Sequence, residues 1–149
     1  MKTAIAALGA LAMLTGCSGL DDCNKLGGAV AITYDLGFNK VTIEKQTKAG
    51  QFQAMRVTYL NDDSGDIPVR LVANAPVEEG KKKDLATKEA TVYRVMQNNS
   101  QFPDVKEGHI TFDTLGGAGD DADGRFYATF VDGTTLNGEF CGTVRELTN

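Results

Sequence analysis

Along most of this chain the apolar residues recur at every second position, the period of a half-buried β-strand and not of an amphipathic helix. In "KVTIEK" Val41 and Ile43 alternate with Lys40, Thr42 and Glu44. In "QAMRVTYL" Met55, Val57 and Tyr59 share one face, with Ala54, Arg56 and Thr58 on the other. "AVAITYDL" puts Val30, Ile32, Tyr34 and Leu36 in one row, and "PVRLVA", "TVYRVM" and "HITFDT" extend the pattern. Turn-forming clusters separate these runs: 37–39, 49–50, 61–66, 80–84, 98–104 and 116–124. "DLATKEA" offers one helical turn at most, and no internal repeat or linker divides the chain.

The last two strands carry enough pattern to set their register. "GRFYATFVDGTTLNGEFC" holds Phe126, Ala128 and Phe130 on one face of its first strand and Leu136, Gly138 and Phe140 on one face of its second. A two-residue Asp132-Gly133 turn would place these rows on opposite sides of the ribbon and lose the shared core. A three-residue loop, Val131-Asp132-Gly133, pairs Phe130 with Thr134, Ala128 with Leu136 and Phe126 with Gly138. This is a type I turn with a G1 bulge, in which Gly133 takes the left-handed position. The same register turns Cys141 away from the row that holds Phe140.

The N-terminus reads differently. Met1-Lys2 precedes "TAIAALGALAML", an apolar run of about a dozen residues, the length of a signal-peptide core and too short to span a bilayer. Leu14-Thr15-Gly16-Cys17 ends it, and these four residues resemble the lipobox of bacterial lipoproteins at every position. The resemblance implies cleavage after Gly16 (residues 1–16 a signal peptide), acylation of Cys17 and a short tether over residues 17–26. A single β domain is expected over residues 27–149. Several acyl chains suffice to anchor a protein, since each buried CH₂ contributes about 0.8 kcal/mol. In Gram-negative lipoproteins Asp directly after the acylated Cys retains the protein at the inner membrane. Here that residue is Ser18, which implies an outer membrane lipoprotein, facing the periplasm or the cell surface.

Removing residues 1–16 from the 149 leaves 133, one domain's worth of chain. The net charge of −5 becomes −6 with the loss of Lys2. An acidic chain without a basic stripe argues against nucleic acid as a partner. Lys81-Lys82-Lys83 reads as a solvated turn. With Cys17 acylated, two of the three cysteines remain. In an oxidising compartment Cys23 and Cys141 are expected to pair.

Candidate chemistry is sparse. Asp120, Asp121 and Asp123 could offer oxygens to Ca²⁺, as could the Asn61–Asp66 loop. Neither follows the D-x-D-x-D-G pattern with its closing Glu, so both read as hydrophilic loops and no metal is assigned. The single histidine, His109, stands beside Gly108 with no positioned nucleophile and reads as structural. No G-x-S-x-G, P-loop or Rossmann pattern occurs, so neither catalytic residues nor a cofactor are assigned.

The pattern G-x-F-x-A-x-F-x-DG-T-x-L-x-G-x-F, carried here by residues 124–140, resembles the closing meander of small uncharacterised β-rich Gram-negative lipoproteins. It implies a fold and no activity. The expected architecture is all-β: an antiparallel sandwich or flattened barrel of about eight strands, closing with the C-terminal hairpin. The expected function is a non-catalytic interaction or structural module of the cell envelope, with an envelope protein as possible partner. The alternative is a β-barrel lipoprotein holding a small apolar ligand, and an enzyme ranks a distant third.

Overall fold

The computed structural model describes residues 23–148. The expected signal peptide and the expected acylation site, Cys17, lie outside the described residues. Nine strands form: β1 (Lys25–Gly27), β2 (Lys40–Lys48), β3 (Gln51–Leu60), β4 (Ile67–Asn74), β5 (Lys82–Asp84), β6 (Ala90–Val95), β7 (Val105–Leu115), β8 (Asp121–Phe130) and β9 (Thr135–Thr148). Eight of them follow one another in the order β5-β7-β8-β9-β2-β3-β4-β6, with β1 added beside β9. The sheet curls into a barrel that nearly closes, leaving one unsealed seam. Residues 25 and 26, which the sequence pattern assigned to the tether, belong to β1.

The alternation in the sequence becomes the two faces of this sheet. Ile43, Val57, Tyr59, Leu71, Ile110, Phe112, Phe126, Phe130, Leu136 and Phe140 line the interior, and each is buried. Aromatic rings fill it: Phe112 meets Phe140 edge-on at 5.2 Å between centroids, and Tyr59 lies 5.0 Å from Phe38 and 6.1 Å from Phe126. The Tyr59 hydroxyl donates to the Glu139 carbonyl at 2.6 Å, linking β3 to β9 across the core.

The C-terminal hairpin takes the expected register, with Ala128 opposite Leu136 and Phe126 opposite Gly138. Phe130 N–H donates to the Thr134 carbonyl at 2.9 Å, and Gly133 has φ +83°. The Asp132 carboxylate accepts from the Thr134 hydroxyl (2.6 Å) and its N–H (2.9 Å), which hold it below the usual carboxylate range. A Cys23–Cys141 disulfide, with Cα atoms 6.0 Å apart, fastens the chain just before β1 to the middle of β9. Beside it the Asn24 side chain accepts from Cys141 N–H at 2.9 Å.

Several features depart from expectation. The 80–84 cluster, expected as a solvated turn, holds strand β5 at Lys82–Asp84, and the 116–124 cluster gives way to β8 at Asp121. The sheet is mixed, because β2 runs parallel to β9 over Ile43–Thr47 against Val144–Thr148. The alternating run from Val30 to Leu36 is not a strand: Ala29–Ile32 form a 3₁₀ helix, followed by irregular chain. A strand needs a ladder, and β1 already occupies the edge of β9 at Asn137–Glu139. Ala29 N–H instead bonds the Thr135 hydroxyl (3.2 Å), so Val30 plugs the barrel end while Ile32 stays 91% exposed.

Candidate functional site: an open seam between two strands

The seam lies between β6 and β7, whose connecting segment, 96–104, runs alongside it. In a closed barrel these strands would pair. Among the described residues β6 pairs only with β4, and the far edge of β7 is covered by β5 only at His109–Thr111. The gap forms a groove of about 600 Å³. Thr91, Val92 and Tyr93 line one side and Gln101 to Val105 the other, with the 85–88 turn completing the lining.

Phe102 defines one wall and is held from three sides. It stacks on Phe130 at 5.2 Å, meets Tyr34 edge-on at 5.3 Å and covers the Arg94 guanidinium at 5.2 Å. Arg94 projects from β6 into the barrel end, 2% exposed, with its guanidinium 4.8 Å from the Tyr34 ring on another side. Its Nη2 donates to the Asp35 carbonyl at 3.0 Å. Among the described residues Nε and Nη1 find no hydrogen-bond acceptor, and ring faces stand in for one. Burial pulls the guanidinium below its usual pKa, opposed by Tyr34, Asp35 and Asp66. This clamp joins three stretches distant in sequence: the 33–38 segment, the end of β6 and the 96–104 segment.

The residues that sequence patterns singled out lie elsewhere. His109 sits on the outer face of β7, between Asp84 of β5 and Tyr127 of β8 by register. Burial lowers its pKa, Lys82 adds to the effect and Asp84 opposes it. Asp120 and Asp121 are engaged locally: Asp120 accepts from Gly117 N–H (3.2 Å) and Asp121 from the Thr143 hydroxyl (3.0 Å). Asp123 lies on β8 opposite Cys141. Among the described residues no group of three or more His, Cys, Asp or Glu side chains is placed to hold a metal ion. Among them, too, no helix is long and apolar enough to cross a membrane.

The seam itself was missed from sequence. A strand reading of "TVYRVM" carries no information on whether its second edge finds a partner. The one available signal was Arg94 at an inward position of that alternation, a charge where an apolar residue belongs. No protein-family model, curated protein or solved structure matches this chain.

Proposed function

We propose that this protein is a lipid-anchored module of the cell envelope, held in the outer membrane by acyl chains on Cys17. Its role is non-catalytic and it acts by contact with another envelope protein. The observation that supports this reading is the filled interior. Tyr59 packs on Phe126, Phe112 on Phe140 and Phe130 on Phe102, and apart from the partly buried Phe102 these rings are all buried, which leaves the space a ligand-carrying barrel would need occupied by side chains. Concave surface is found outside the core, and the seam groove has partly buried apolar residues, Val92, Phe102 and Val105, at its walls. A surface of this kind suits a macromolecular contact better than a small apolar guest.

The test is crosslinking of the lipidated protein in its own envelope, followed by recovery and mass spectrometry. A single protein captured reproducibly is the expected outcome. Recovery of a bound lipid alone would return the apolar-ligand reading.

A further inference from the structure

We infer that the contact surface is the end of the barrel at which β2, β4, β7 and β9 begin, and that it takes a partner protein presenting an apolar patch ringed by lysine and arginine. The inference rests on the interaction reading above. Four segments cover this end: 28–39 before β2, 61–66 between β3 and β4, 96–104 between β6 and β7, and 131–134 between β8 and β9. They are bonded to one another. Asp62 N–H donates to the Asn39 side chain at 2.8 Å, Gln97 N–H to the Asp66 carboxylate at 2.8 Å and Val131 N–H to the Asp104 carbonyl at 2.9 Å. Ala29 N–H, on the Thr135 hydroxyl, completes the set. The segments thus form one surface held in place, and a contact there needs little further ordering.

Apolar exposure is concentrated on this surface. Four large hydrophobic side chains stand exposed among the described residues, Ile32, Val95, Tyr127 and Val131, and all but Tyr127 belong to this end. Ile32 is 91% and Val131 63% exposed, although each lies close in sequence to a buried residue, Val30 and Phe130, that already fills the interior. The core has no need of apolar residues at 32 and 131. A contact made by this end does.

The charge on the same surface selects the partner. The four segments hold Asp35, Asp62, Asp63, Asp66, Asp104 and Asp132 and not one Lys, Arg, His or Glu. They carry more negative charge than the net −5 of the whole chain, so the rest of the protein is close to neutral. Of the cations on the flanking strands, Lys40 is paired with Asp62 at 3.5 Å, Arg94 is buried beneath Tyr34 and Phe102, and Lys106 stands on β7. Such a field repels an anionic bilayer surface, a nucleic acid and the same end of a second copy, and it attracts a basic protein surface. The course of β1 agrees. It runs toward this end, with Lys25 opposite Glu139 and Gly27 opposite Asn137, so the bridged Cys23 lies back toward the other end. An anchor at Cys17, six residues before Cys23, draws that other side toward the membrane.

The test uses the full lipidated chain in its own envelope, with a photo-reactive benzoylphenylalanine in place of Ile32, of Val131 or, as a control on the barrel wall, of Tyr127. All three side chains are exposed, so each variant should fold. One and the same protein should be crosslinked from positions 32 and 131 and not from 127. Mass spectrometry of the crosslinked peptide should find lysine or arginine beside the point of attachment. Titrated into the purified lipidated chain, the captured protein should bind the Ile32→Ser, Val131→Ser double variant about tenfold or more weakly. Asp62→Asn with Asp104→Asn, both exposed, should weaken binding about three- to tenfold at low salt and much less at high salt, since exposed charges act through a screened field.

Crosslinks from 32 and 131 to lipid alone, to a second copy of this chain or to a peptide without basic residues would overturn the proposal. So would binding that neither double variant weakens. Capture of a protein from position 127 alone defeats the assignment of this end and leaves the interaction reading standing. Capture of no protein from any of the three positions defeats the interaction reading itself.

Discussion

The Arg94 guanidinium lies 5.2 Å from the centre of the Phe102 ring and is almost wholly shielded from water by it and its neighbours. A charged side chain buried with two donors that find no acceptor among the described residues is expensive, and the ring faces of Phe102 and Tyr34 offset part of that expense. Arg94 and Phe102 are therefore expected to be energetically coupled. In a double-mutant cycle with Arg94→Met and Phe102→Ala, the coupling should be about 1–2 kcal/mol. Phe102→Ala alone should destabilise by about 2–3 kcal/mol. Arg94→Met should cost less, because it removes the buried charge while keeping volume. Urea titration of the four proteins measures all three quantities, and additive single effects would contradict the clamp.

Two glycines of the C-terminal hairpin are required for different reasons. At Gly133 φ is +83° and a side chain would meet open space, so Gly133→Val should cost about 1–2 kcal/mol through backbone strain alone. At Gly138 a methyl group would run into the Lys25 carbonyl and the Phe126 ring. Gly138→Ala should therefore cost about 1–3 kcal/mol or more by overpacking, although alanine is the smallest possible change. Thermal unfolding ranks the two variants, and a Gly133→Val melting temperature equal to wild type would contradict the left-handed turn.

The disulfide closes a sequence separation of 118 residues. The chain-entropy argument gives close to 5 kcal/mol for so long a loop, and measured values commonly fall to about 2–4 kcal/mol. The double variant Cys23→Ser, Cys141→Ser should lose stability within that lower range and stay folded, because the aromatic core does not depend on the bridge. Mass spectrometry of the non-reduced protein tests the premise, and two free thiols would remove it.

Tyr59 sets an alkaline limit. Burial, reinforced by Glu139, raises its pKa above the ordinary value of 10.0. In the unfolded chain the phenol ionises near that value, whereas in the folded chain it stays protonated. The stability it contributes is thus complete below pH 10 and declines as the pH rises further. Tyr59→Phe should flatten this decline. At neutral pH the same variant should cost about 1 kcal/mol, since the partly buried Glu139 carbonyl loses this donor. Unfolding free energies of both proteins between pH 7 and 11 provide the check.

Anchoring is tested at Cys17. Cys17→Ala should leave an unprocessed precursor that no longer fractionates with membranes as mature protein. A mature, membrane-bound variant would show that the lipobox reading is mistaken.

Local pattern determined much of this protein. Strands β2, β3, β4 and β7 follow from alternation, because a half-buried strand must place every second side chain in the core. The register of β8 against β9 follows from two apolar rows that have to share a face across a loop ending in Gly133. The pairing of Cys23 with Cys141 follows from counting. What local pattern could not determine are relationships between segments that compete for the same partner. Val30 to Leu36 alternate as well as any strand here, yet β1 occupies the edge of β9 beside them, so Val30 becomes a plug and Ile32 remains in solvent. The parallel pairing of β2 with β9 joins residues about a hundred positions apart and leaves no trace in either sequence. Above all, nothing in "ATVYRV" tells that β6 lacks a second neighbour among the described residues. That depends on how far the curled sheet closes, and closure is decided by the whole barrel at once, with Arg94 and Phe102 pinning the segment that runs beside the gap.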